Sequence, residues 1–148
     1  MTTTLTSNMV ETLNGLLKTS LAAGKTYTIA IHKIERDRDR EAIALRVIQR
    51  NHEENAGKLR AEIRRQGGDP EDKTGAFGVF SKAVEGVASL FGDSSAVRAL
   101  REEEERALSQ ARRALGDLEG SARSLVSDVL IPSVTQHIEL LEAVLSPA

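Results

Sequence analysis

Apolar residues recur along most of this chain at steps of three and four, the spacing that lines one face of an α-helix. Val10, Leu13, Leu17, Leu21, Gly24, Thr28, Ile31 and Ile34 form the first such line, widened by Leu16, Ala23, Tyr27 and Ala30. They predict a helix over 8–36. Residues 1–7 are threonine-rich and read as a frayed end or a cap, with Thr6, Ser7 or Asn8 as N-cap. Gly24 costs ~1 kcal/mol against alanine inside a helix. It either permits a close helix approach or is tolerated.

The charged stretch 35–41 predicts a turn, with Asp37 or Asp39 capping a second helix that runs to about residue 66. Its apolar line is Leu45, Ile48, His52, Asn55/Ala56, Leu59 and Ile63, so a histidine falls on the face that should meet the core. Gly67-Gly68-Asp69-Pro70 stops it, because glycine supplies a left-handed C′ residue and proline prevents continuation. A short turn between the two helices makes them an antiparallel hairpin.

Phe77, Phe80, Val84, Val87 and Phe91 then predict an amphipathic helix over 76–91 that holds every phenylalanine of the chain. At 1.5 Å per residue it is ~25 Å long, about the length of a bundle. It reads as a crossover lying along the bundle; the other reading is a surface for a partner or a membrane. Lys82 is its one basic residue, which argues against anionic lipid.

A third helix over 95–118 carries the line Val97, Leu100, Glu104, Ala107/Leu108, Ala111, Leu115 and Leu118. Glu104 belongs to that line, while most of the surrounding run 101–106 reads as a solvated face. Gly120 marks a turn and Ser121 caps a fourth helix over 121–145. Its face carries Leu125, Val126, Val129, Leu130, Ser133, His137, Leu140, Leu141 and Val144. Pro132 lies inside it and predicts a kink. Two helical hairpins joined by one long connection give an all-α, ferritin-like four-helix bundle, with second and third helices parallel. The expectation is a single domain over 1–148.

Composition narrows the function. A net charge of −2 gives no basic field for nucleic acid. Aromatics are 3% and Trp is absent, so bases have no stacking platform. Cysteine is absent, which excludes disulfides, thiolate metal sites and thiol nucleophiles. The N-terminus does not read as a signal peptide. No run approaches the ~20 apolar residues of a membrane span, so the expected location is cytoplasmic. No catalytic constellation is legible: there is no nucleophile motif and no phosphate loop.

Several pieces resemble a small bacterial family of ferritin-like four-helix bundles of unknown function. They are Leu13-Asn14-x-Leu16-Leu17, Ala22-Ala23-x-x-Thr26-Tyr27, Asn51-His52-Glu53-Glu54 leading to Leu59-Arg60, and Arg65-x-Gly67-Gly68-Asp69-Pro70. Gly75-Ala76-Phe77-Gly78, Phe80-x-Lys82 and Leu130-x-Pro132 look similar too, so the resemblance covers 9–145. It implies the fold far more than an activity, together with a loose association with bacterial stress physiology.

Ferritin-like di-iron sites need a Glu from each of two helices and Glu-x-x-His from each of the other two. This chain has Gln49 three residues before His52 and Val134 three before His137, and Lys25 where the resembling family often has Glu. What survives is His52, Glu104 and His137, each near the middle of its helix. Two readings follow. The histidines are neutral core residues bonded to Gln49, Tyr27, Glu104 or each other; or the three side chains hold one zinc or iron ion with an open position. His32 reads as a boundary residue. The function is accordingly either that of a non-catalytic bundle with no cofactor, or that of a metal-binding or redox protein. The former would act by self-association or through a protein partner, with the 77–91 helix as the contact. The missing carboxylates favour the former.

Overall fold

The computed structural model describes residues 2–33, 39–71 and 95–146. All regular elements among them are helical. Helix α1 spans Thr2–Lys33, α2 spans Asp39–Arg65 and α3 spans Ser95–Ala114, followed by a 3-10 turn at Leu115–Asp117. The fourth helix comes in three pieces: α4 (Gly120–Leu125), a π-helical turn (Val126–Leu130) and α5 (Ile131–Leu145). The 77–91 stripe and its expected partner role lie outside the described residues. No helix among the described residues is long and apolar enough to cross a membrane.

Three expectations need correction. Residues 2–7 are helical rather than frayed. The buried seam of α1 runs through Met9, Leu13, Leu16, Ser20, Ala23, Tyr27 and Ala30, a regular alternation of four and three. Thr28 is exposed and Leu21 and Ile31 are only half-buried, so the true seam is rotated from the expected one. Ser121 does not cap the fourth helix, whose N-cap is Glu119 without a side-chain bond. Its hydroxyl instead donates to Glu62 Oε2 at 2.9 Å and accepts from Arg65 Nη2 at 2.6 Å, tying the fourth helix to α2. At Pro132, near the start of α5, the distortion is the π turn just before it, closed by the Ile131 N–H donating to Val126 O five residues back. A wider turn makes room for a ring that in a regular α-helix clashes with the carbonyl four residues back.

Contacts fix how the helices lie. Gly68 of the turn after α2 meets Val10 of α1, and Gln49 Nε2 donates to Thr28 Oγ1 at 3.2 Å, so α1 and α2 are antiparallel. Thr19 Oγ1 donates to Gln110 Oε1 at 2.7 Å, joining α1 to α3. The stop after α2 follows the expected chemistry. Gly67 has φ +83, its N–H donates to Arg64 O and the Gly68 N–H donates to Ile63 O, both at 2.9 Å. These are the paired bonds of a Schellman motif. Asn14 then pins the next residues to α1: its Nδ2 donates to Asp69 O at 3.1 Å and its Oδ1 accepts from the Glu71 N–H at 2.7 Å.

The second glycine is needed for space. A Cβ at Gly68 would lie 2.6 and 2.8 Å from the Val10 methyl carbons. Gly68→Ala is therefore expected to cost about 1–3 kcal/mol through overpacking, measured as a shift in the urea midpoint. A midpoint unchanged from wild type would show that Val10 yields freely.

The core has two apolar halves. One gathers Leu13, Leu16, Leu17, Ala56, Leu59, Ile63, Ala111, Leu118, Val126 and Leu130; the other gathers Tyr27, Leu45, Ile48, Val97, Leu100 and Leu141. Along α2, α3 and the fourth helix, His52, Glu104 and His137 fall between the two halves, as a polar layer inside the bundle.

Candidate metal centre

Each helix brings one part of this layer inward at the position its apolar line specifies. His52 is 2% exposed, Glu104 0% and His137 1%. His52 Nε2 lies 2.5 Å from Glu104 Oε1 and 3.0 Å from Oε2. His137 Nδ1 lies 3.1 and 3.3 Å from the same two oxygens. The imidazole rings are 4.5 Å apart at 58°. The three sequence-predicted site residues thus converge: each offers one donor atom, all within 4.8 Å of one another. No other trio of His, Cys, Asp or Glu among the described residues does so.

Electrostatics define the states of these groups. Burial raises the Glu104 pKa, but the neighbouring charge of His52 and hydrogen bonds from both imidazoles outweigh it, leaving about 2. Glu104 is therefore a carboxylate at neutral pH. Burial lowers the pKa of His137 against the opposing pull of Glu104, so its neutral form dominates at pH 7. Tyr27, stacked on His52 with ring centroids 5.7 Å apart, has its pKa raised by burial and by the charges of Glu104 and Glu103.

Asn51 was not legible in the sequence. Its Oδ1 lies 2.6 Å from His137 Nε2. In that orientation Nε2 carries a hydrogen and donates it to Asn51, which leaves Nδ1 facing the carboxylate. A bare Nδ1 and a carboxylate oxygen are both acceptors, so the contact closes only with a proton or a cation between them. Holding the far nitrogen of a histidine in this way is how proteins orient metal ligands. Asn51 sits one residue before His52 and off the apolar line, so periodicity gives it no signal; only the approach of the fourth helix reveals its role.

Gln49, expected as a partner of His52, instead donates to Glu53 Oε1 at 2.8 Å near the surface. Lys25 is exposed, beside Glu53 on the rim of an open groove between α1 and α2. Val134 is buried but apolar. The positions that would supply further carboxylates for two metal ions therefore do not. His32, expected at the boundary, is exposed. Glu103, expected on the solvated face, is buried; its pKa is raised by that burial against the pull of Arg106, with which it pairs. Tyr27 Oη, His52 Nδ1, Asn55 Oδ1 and Glu103 Oε2 are buried with no hydrogen-bond partner among the described residues.

Residues 8–117 match the family described as "Domain of unknown function (DUF2383)". His52 and Glu104 lie inside the matched region and His137 beyond it. None of the curated proteins matches the chain.

Proposed function

The chain belongs to the DUF2383 family, whose function is unknown, and from its site we propose that it binds one divalent transition-metal ion inside a ferritin-like bundle. The ligands are His52 Nε2, His137 Nδ1 and the carboxylate of Glu104. The observation that carries this reading is the aim of two imidazole nitrogens, on separate helices, at one fully buried carboxylate. Ferritin-like connectivity is part of the proposal: α1 is antiparallel to α2, and because Thr19 meets Gln110 while Tyr27, further along α1, feels Glu104, it runs antiparallel to α3 as well, so α2 and α3 are parallel and the connection between them is the long one. The bundle is taken as one domain over 1–148, in the cytoplasm.

The donor set fits zinc or ferrous iron, since imidazole nitrogens with one carboxylate suit these ions and not calcium or magnesium. Two ligands on a tetrahedral ion sit about 3.3 Å apart. The 3.0 and 3.1 Å contacts are already near that value, and the 2.5 Å contact opens as the carboxylate turns. Asn51 fixes the ring of His137, and Tyr27 packs on that of His52. An ion there would supply a positive charge opposite Glu104 and a coordination position open to a small ligand. With a single carboxylate, two-metal oxidase chemistry is not proposed.

The 2.5 Å contact between His52 and Glu104 favours a second reading: a metal-free polar layer, with the protein acting through its surface. Elemental analysis after loading with zinc or ferrous iron and dialysis separates the two. One ion per chain in the wild type, lost in both His52→Ala and His137→Ala with helicity kept, is the expected result. A metal-free wild type, or unchanged stoichiometry in both variants, overturns the metal reading.

A further inference from the structure

The outer face of α2, opposite His52, carries Ile43, Val47, Arg50, Glu54, Gly57 and Ala61, all exposed. Their alternating steps of four and three place them in one stripe. Ile43 is 60% and Val47 50% exposed, the highest values among the large apolar side chains described. The stripe is graded from large apolar residues, through opposite charges, to small residues.

Two features have no explanation among the described residues. Among the described residues a Cβ at Gly57 would meet nothing within 4 Å, so no contact there requires a glycine that costs ~1 kcal/mol in a helix interior. Arg50 and Glu54 stand four apart, the spacing of a helical ion pair, yet neither forms an ion pair among the described residues.

We propose that this face is a self-association surface, on which α2 of one copy packs antiparallel on α2 of a second across a twofold axis level with residue 52. In that register Ile43 meets the partner's Ala61, Val47 meets the partner's Gly57, and Arg50 meets the partner's Glu54. Symmetry makes each contact twice, as an isologous interface requires. Large residues face small ones, which lets the helices approach, and each charge faces its opposite. The missing Cβ of Gly57 is the space that the partner's Val47 fills. One helix pair buries less than the ~800 Å² per partner of a standard interface, so the dimer is of the weak, reversible kind.

Sedimentation equilibrium of the full chain between about 5 and 500 μM tests this. The expected result is a mass rising from 16.0 kDa towards twice that value. Arg50→Glu puts like charges together twice and is expected to raise the dimer Kd roughly 10-fold or more, as is Glu54→Arg. The double variant R50E/E54R restores complementarity and should return the Kd to near that of the wild type. Gly57→Leu, at an exposed position, should block association while circular dichroism shows the helices intact. His52→Ala, on the opposite face, should leave association unchanged. A mass of 16.0 kDa throughout, or single reversals without effect, or a double variant no better than the single ones, overturns the proposal.

Discussion

Glu104→Ala is expected to cost the metal-free protein about 3–5 kcal/mol of unfolding free energy, the largest effect of any single substitution in the polar layer. Two terms add. Truncating a side chain that is 0% exposed leaves a cavity between the two apolar halves of the core. It also removes the carboxylate at which His52 Nε2 and His137 Nδ1 both aim, leaving these buried ring nitrogens without that partner. His137 is neutral at pH 7, which keeps the cost below that of stranding a fixed charge. Glu104→Gln, which keeps the volume and one acceptor, should cost about 1–3 kcal/mol. Urea unfolding followed by helical circular dichroism measures both. A loss below 1 kcal/mol for Glu104→Ala would show that the layer contributes little and that the bundle closes over it.

The second large effect is acid destabilisation of the same metal-free protein. The Glu104 pKa is about 2 folded, against 4.5 for an ordinary glutamate. A depressed carboxylate stabilises the fold above its unfolded pKa, and that stability is lost as the pH falls from about 4.5 towards 2. The gap corresponds to about 3 kcal/mol, shared with the histidines that hold the charge. His137 adds in the same direction. Its folded pKa lies below the usual 6.5, so the unfolded chain takes up that proton first and stability begins to fall as the pH drops below 6.5. The urea midpoint should therefore decline from near neutrality, and more steeply below pH 4.5. Glu104→Gln should lack the lower stage. An identical decline in that variant below pH 4.5 would place the acid sensitivity in other carboxylates.

Both effects follow from a layer that would be cheaper to build from leucine. Buried ionic groups are often no better for stability than well-packed apolar ones. Here the polar layer is also incompletely matched internally, with His52 Nδ1, Tyr27 Oη and Asn55 Oδ1 lacking hydrogen-bond partners among the described residues. An arrangement that falls short of the best core supports a role in binding, and it is the reason the metal experiment precedes any search for partners. The outer face of α2 poses the complementary question, since its glycine and its charges, which find no ion-pair partner among the described residues, face solvent.

By itself the sequence determined the helices and their stop signals, because a 3.6-residue period and the φ preference of glycine are local properties. The Gly67–Gly68 stop is one example. It also placed His52, Glu104 and His137 on buried faces, since each occupies an apolar line that can point only one way. Only the tertiary structure decided the rest. The rotation of α1 depends on where Tyr27 finds the ring of His52, a contact between helices that no single helix encodes. Pro132 announces a distortion of the fourth helix, but that it is taken up as a π turn is seen only in the folded chain. Asn51, Ser121 and Glu103 took their roles from neighbours distant in sequence: Asn51 meets His137, Ser121 ties to α2, and Glu103 is covered although its run reads as solvated. Periodicity reports which face of a helix is buried; which side chain meets which across the bundle is set by the relative height and rotation of the helices, and that information exists only once they are packed.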